Sequence, residues 1–206
     1  MVPDTTTTTR AGSRGGRVRT AALLSGGWLA LLWFLEFVDS ATHHALDTYG
    51  ISPREAGEIR DIVPAAFLHF GFDHLAANSV PLLVLAFLTA LSGAGRLIAV
   101  STVVILISGA GVWLLAPAYS VTAGASGVVF GLFGYLLVRG FVDRRLLDVV
   151  LGLLVAVVYG SILWGALPTA EGVSWQAHLF GLIGGVVAAF VVRTPRGRPA
   201  VGTGGG

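Results

Sequence analysis

Six stretches of this chain are almost wholly apolar, at about residues 21–38, 75–92, 97–115, 124–142, 146–167 and 176–192. Each spans about 17–22 residues, enough for a helix to cross roughly 30 Å of hydrocarbon. None shows the ten-residue alternation of a barrel strand, so helices are the expected elements. The segments on either side, residues 1–20 and 193–206, are rich in Thr, Gly and Arg and have little to bury. They read as disordered tails around one membrane domain at residues 21–192. The first run has a basic lead-in that would also suit a cleaved leader. It is long for that role and no small-x-small site follows it, so it reads as a span.

Composition agrees with the pattern. Of 206 residues, 54% are hydrophobic and 12% charged, against about 25% charged in soluble domains; the mean hydropathy is +0.81. With no cysteine, disulfides, thiolate metal sites and a cysteine nucleophile are excluded. All 13 basic residues are arginine, which with the abundant Gly, Ala and Val reads as genomic base composition and a bacterial source. The arginines form no aromatic-interleaved patch, so nucleic acid is not an expected partner.

Their placement orients the chain instead. Arg10, Arg14, Arg17 and Arg19 precede the first run, and Arg96 lies between the second and third. Arg139, Arg144 and Arg145 lie between the fourth and fifth, and Arg193, Arg196 and Arg198 follow the sixth. If six spans alternate, all of these share one side. The other side holds Arg54 and Arg60 among Glu36, Asp39, Asp47, Glu55, Glu58, Asp61 and Glu171. The positive-inside rule then makes both termini cytoplasmic in a multi-pass cell-membrane protein, and places Trp113, Trp164 and Trp175 at the outer interface.

This orientation gathers the polar residues of the spans. Runs two, four and six all start at the outer face, and His74, Ser126 and His178 stand at their starts. Asn78 follows His74 by four residues and shares its helix face. A hydroxyl, two imidazoles and an amide are thus expected in one layer below the outer surface, where polar groups mark function by default. Gly127 and Gly131 follow Ser126, and Gly181 and Gly185 follow His178. Such small-xxx-small spacing lets two helix backbones approach closely enough for a hydroxyl to meet an imidazole. A serine beside a histidine is the arrangement of nucleophilic catalysis.

Taken together, Gly124-Ala125-Ser126-Gly127, Ala177-His178-Leu179-Phe180-Gly181 and His74-x-x-x-Asn78 resemble the motifs of the rhomboid family of intramembrane serine proteases. The likeness covers about residues 55–192. It implies an all-α, six-helix polytopic bundle that needs no cofactor and cleaves transmembrane protein substrates near the outer side of the bilayer. It further implies Ser126 as nucleophile, His178 as general base and then acid, and His74, Asn78 and backbone N–H groups near Ser126 as the oxyanion hole. Only two groups then carry the covalent chemistry, and Asp73 is not expected to act as a third. The chain departs from the family pattern at Phe130, where many members have tyrosine, at Ile59, where a tryptophan often precedes the arginine, and in Leu91–Arg96, which lacks an acidic residue.

The alternatives are a catalytically inactive relative that binds client transmembrane helices, and a small transporter. The transporter would place its polar residues near mid-membrane on broken helices. His69 is expected to make a structural hydrogen bond under the external loop. His43 and His44 read as solvated, and no acidic set at ligand spacing accompanies the five histidines, so no metal is expected. The loop at residues 39–63 is expected to lie on the membrane interface as a short amphipathic element.

Overall fold

The computed structural model describes residues 6–168 and 172–193, with side chains from residue 14 onward. Its elements are α1 (Thr6–Ala41), α2 (Ile62–Ala65), α3 (Phe72–Ala90), α4 (Ala94–Leu115), α5 (Ser126–Asp143), α6 (Leu146–Tyr159) and α7 (Trp175–Val191). 3₁₀ segments join them at Ala45–Tyr49, Ala56–Asp61 and Gly160–Ala166. Strand structure among the described residues is confined to one antiparallel bridge, Ile51 with Thr122.

Among the described residues, five helical segments are long and apolar enough to cross a membrane: Arg14–Ala41, Phe72–Ala90, Ala94–Leu115, Ser126–Asp143 and Leu146–Ala166. The sixth expected span is the shorter apolar helix Trp175–Val191, whose 17 residues rise only ~25 Å at 1.5 Å per residue. The fifth run also departs from a plain helix. It stays α-helical to Tyr159 and then tightens into a 3₁₀ segment to Ala166.

At the N-terminus α1 starts at Thr6, so residues 6–20, expected within a structureless tail, are helical. Residues 14–20 are all exposed. Adding turns to an already nucleated helix costs little, so the extension needs no packing of its own. Residues 1–5 and 194–206, the remainder of the two expected tails, lie outside the described residues.

The bundle is apolar on its surface as well as in its core, as a helix bundle in lipid must be. Leu146, Leu147, Val157 and Val158 of α6 are exposed, while Leu75, Leu82, Leu85, Val104, Leu132 and Phe133 are fully buried. α5 is the most enclosed span and packs most densely against α7, which packs next against α4. Glycine makes this possible. A Cβ at Gly181 would overlap the Gly127 carbonyl oxygen, and one at Gly185 would overlap that of Gly131. The two helices therefore touch backbone to backbone along one seam, as small-residue spacing permits. Trp33 of α1 donates to Ser79 Oγ of α3 at 3.1 Å, tying the outer pair together.

The loop between α1 and α3 folds back over the bundle through its two 3₁₀ turns and α2. Arg54 reaches the end of α4, donating to the carbonyls of Leu114 at 3.2 Å and Ala116 at 2.9 Å. Trp113 Nε1 donates back to the Glu55 carbonyl at 3.1 Å. Tyr49, Ile59 and Val63 project outward.

Candidate active site

Three helix starts converge at one end of the bundle. His74 is the third residue of α3, Ser126 the first of α5 and His178 the fourth of α7. Gly127, next to Ser126, packs on Gly181, one turn after His178. Ser126 and His178 thus each lie within one turn of that contact, at the same end of the glycine seam. Ser126 and His74 are half-buried, and His178 and Asn78 are buried. Asp73 is exposed.

His178 is held on two sides. Its ring lies parallel to that of Phe130, with centroids 4.1 Å apart and planes 6° apart. Its Nδ1 is 2.8 Å from the Gly165 carbonyl oxygen. A carbonyl only accepts, so in the neutral ring Nδ1 carries the proton and Nε2 carries the lone pair. The 3₁₀ turn after α6 supplies that carbonyl, and a Cβ at Gly165 would fall 3.1 Å from both His178 Nδ1 and Phe130 Cζ. Phe130 keeps the stacking surface without a hydroxyl. One turn of backbone is fixed as well, because Ser108 Oγ of α4 donates to the Ala177 carbonyl at 2.8 Å.

Ser126 and the His74 ring border a common space beside Gly124. A methyl group there would lie 2.9 Å from His74 Cε1, 3.1 Å from its Nε2 and 3.7 Å from Ser126 Oγ. Gly124 has φ +146°, a conformation that side chains resist. Asn78 Nδ2 donates to the His74 carbonyl at 3.0 Å, which leaves its second amide hydrogen free. Among the described residues no hydrogen bond joins Ser126 to His178. Such bonds are often long or misaligned before substrate arrives.

The loop entering α5 is anchored from below. Gly124 N donates to the Ala65 carbonyl at 2.9 Å, and Ala125 N donates to His69 Nε2 at 3.2 Å. His69 is 2% exposed, and its ring stands edge-on to His74 with centroids 5.1 Å apart. Burial first, then the neighbouring His74, hold His69 down at about 3. The fold thus requires the neutral ring, which accepts from Ala125. The resulting stability is whole above about pH 6.5 and is lost as the pH falls towards 3, amounting to a loss of ~2 kcal/mol by pH 5. Thermal unfolding followed by circular dichroism should show this: Tm falls between pH 6.5 and 5, and falls less in His69→Gln, which cannot titrate. Equal slopes would mean that another group governs the acid response.

The sequence also left a cluster unseen. His44 Nδ1 lies 2.9 Å from Asp39 Oδ2 and 3.9 Å from Asp47 Oδ2, against the expectation that no acidic set accompanies a histidine. His43 and His44 both take positive φ, 58° and 62°. That reversal after α1 swings His44 back over Asp39, which no spacing rule for a regular helix anticipates.

Comparison with known proteins bears on the whole arrangement. The family profile described as Rhomboid domain matches residues 56–195. Proteins of Mycobacterium bovis and Mycobacterium tuberculosis, both described as uncharacterized, are 40% identical over 176 residues, covering 82% of this chain and 73% of theirs. A Bacillus subtilis protein, described as a "Putative rhomboid protease", is 30% identical over 137 residues, covering 66% of this chain and 68% of its own.

Proposed function

The chain belongs to the rhomboid family, and from that premise we propose that it is an intramembrane serine endopeptidase working through a Ser126–His178 dyad. The observation that carries this reading is the glycine seam. It packs α5 on α7 backbone to backbone near the helix starts that carry Ser126 and His178, with Nδ1 of His178 against the Gly165 carbonyl and the lone pair of Nε2 left over.

The chemistry follows from those positions. Ser126 Oγ attacks the carbonyl carbon of a substrate peptide bond while His178 Nε2 takes the hydroxyl proton. The developing oxyanion lies at the N-terminus of α5, where the first backbone N–H groups have no helical partner. His74 and the free amide hydrogen of Asn78 supply side-chain donors on the α3 side. The C–N bond breaks as His178 returns its proton to the leaving amine. Water then attacks the acyl-enzyme, with His178 again as base, releasing the acid and restoring Ser126. Gly165 takes the orienting role that a carboxylate plays in a triad, so no third ionisable residue is needed.

The arginine distribution supports cytoplasmic termini, which puts the site towards the outer side of the membrane. Substrates are then transmembrane helices that unwind locally near their outer ends, favoured by small or helix-breaking residues. Relatives in mycobacteria and Bacillus fit a bacterial membrane setting.

A second reading is a silent relative that grips client helices without cutting them. The absence of a Ser126–His178 hydrogen bond among the described residues is what favours it. Purified protein in proteoliposomes, offered a panel of single-span reporter substrates, separates the two. The protease cuts some of them, with product masses mapping to the outer third of the span. Asn78→Ala is expected to lower kcat by about 10²–10³ with KM little changed. Failure of the wild type to cut any reporter favours the binder, and equal cutting by His178→Ala contradicts the dyad.

A further inference from the structure

A second cluster of ionisable groups lies at the far end of α1, apart from the serine and histidine. Glu36 and Asp39 are one helical turn apart on the same face, and each is only 2% exposed. Asp47, on the 3₁₀ turn that follows, comes over them with His44. One ligand atom from each of Asp39, His44 and Asp47 can be chosen so that all lie within 4.8 Å of one another. Asp39 Oδ1 is satisfied by the Leu46 amide at 2.7 Å.

The remaining oxygens are not satisfied. Both carboxylate oxygens of Glu36, and Asp47 Oδ1, are buried without a hydrogen-bond partner. The Gly71 amide lies near Glu36 without closing a bond, and Asp39, Asp47 and His44 all act electrostatically on that carboxyl. Among the described residues no arginine pairs with Glu36, Asp39 or Asp47. Three carboxylates against one imidazole leave a net charge of about −2 even with His44 protonated, and buried charge of that kind is either neutralised by protons or coordinates a metal.

We propose that Asp39, His44 and Asp47, backed by the unpartnered Glu36 carboxylate one turn below Asp39, form a binding site for a divalent first-row metal ion of the Zn²⁺ or Mn²⁺ class. The mixture decides the class: an imidazole with carboxylates suits these ions, whereas Mg²⁺ and Ca²⁺ prefer oxygen ligands alone. Ligand atoms around such an ion stand about 3–4.5 Å apart for bond lengths near 2.1 Å, so the trio Asp39, His44 and Asp47 needs only a small contraction. His44 gives up its Nδ1 proton when it binds, and its hydrogen bond to Asp39 is replaced by a shared metal.

The site's position gives it a consequence. It ties the 3₁₀ turn Ala45–Tyr49 to α1. Just beyond that turn, Ile51 exchanges hydrogen bonds with Thr122, N to O at 2.9 Å and 3.1 Å, four residues before Ser126. Glu36 also adjoins Gly71, which caps the helix carrying His74. A bound ion therefore braces the external loop at both of its attachments.

Isothermal titration calorimetry tests the site on the full chain in detergent, with any affinity tag removed, using Zn²⁺ and Mn²⁺ and with Ca²⁺ and Mg²⁺ as comparators. The expected result is one ion per chain, weakened about 10- to 100-fold in Asp47→Asn and in His44→Gln. The metal should also raise Tm in the wild type and not in either variant. His44 is largely exposed, so His44→Gln keeps the test open if an aspartate variant misfolds. No saturable binding by folded wild type would show that protons alone neutralise the cluster. Binding left unchanged in both variants would place the ion elsewhere, and either outcome overturns the site.

Discussion

Ser126→Ala is expected to lower proteolysis at least ~10⁴-fold while leaving the folding free energy within about 0.5 kcal/mol of wild type. Among the described residues the Ser126 hydroxyl has no hydrogen-bond partner, and the residue is half-buried, so losing its Oγ leaves no donor or acceptor stranded. The cost falls on chemistry alone. Without Oγ there is no acyl-enzyme, and His178 has only water to activate. Single-turnover cleavage of a reporter substrate, together with a thermal melt of the same preparation, separates the effects. A melt displaced by several degrees would instead make Ser126 a structural residue.

Gly181→Val is the second large effect, and it acts through packing. A Cβ at Gly181 meets the carbonyl oxygen, carbonyl carbon and Cα of Gly127, all backbone atoms that cannot swing aside. Overpacking at a rigid contact costs about 1–3 kcal/mol or more. The only relief is to move α7 away from α5, which also draws His178 from Ser126. A misplacement of about 1 Å costs roughly 10²-fold in rate, so activity is expected to fall at least that far while the protein still inserts. Gly185→Val should behave similarly, since its Cβ would overlap the Gly131 carbonyl. The contrast is Gly27→Ala in α1, where nothing lies within 4 Å. That change is expected to be neutral or mildly stabilising, because alanine favours helix over glycine by about 1 kcal/mol. Melting temperature and cleavage rate measured on all three decide whether the seam or general glycine loss is responsible.

The helices carrying the candidate site were legible because their signals are local. Apolar runs of span length and glycines at i and i+4 are read directly from the chain. Spans two, four and six begin with His74, Ser126 and His178, and the folded chain gathers the three helix starts. The resemblance to rhomboid motifs added the roles. What escaped the sequence depends on chain reversals. The tightening of residues 160–166 into a 3₁₀ turn has no strong sequence mark beyond Gly160 and Gly165, yet it delivers the carbonyl that orients His178. The two positive-φ histidines, which read as merely solvated, bring Asp39, His44 and Asp47 together. The helical start at Thr6 defied a composition that favours disorder, because an adjoining helix had already met the cost of nucleation. The 17-residue α7 shows the limit of length as a guide. It is short for a span by itself, and its place is set by packing on α5 and α4.

The decisive measurement is mass-spectrometric mapping of a fluorophosphonate probe on the wild-type protein and on His178→Ala. A nucleophile activated by its neighbouring imidazole gives a single adduct on the peptide containing Ser126, absent from the His178→Ala protein. An adduct on some other residue, or undiminished labelling without the imidazole, would contradict the pairing on which the proposed chemistry stands.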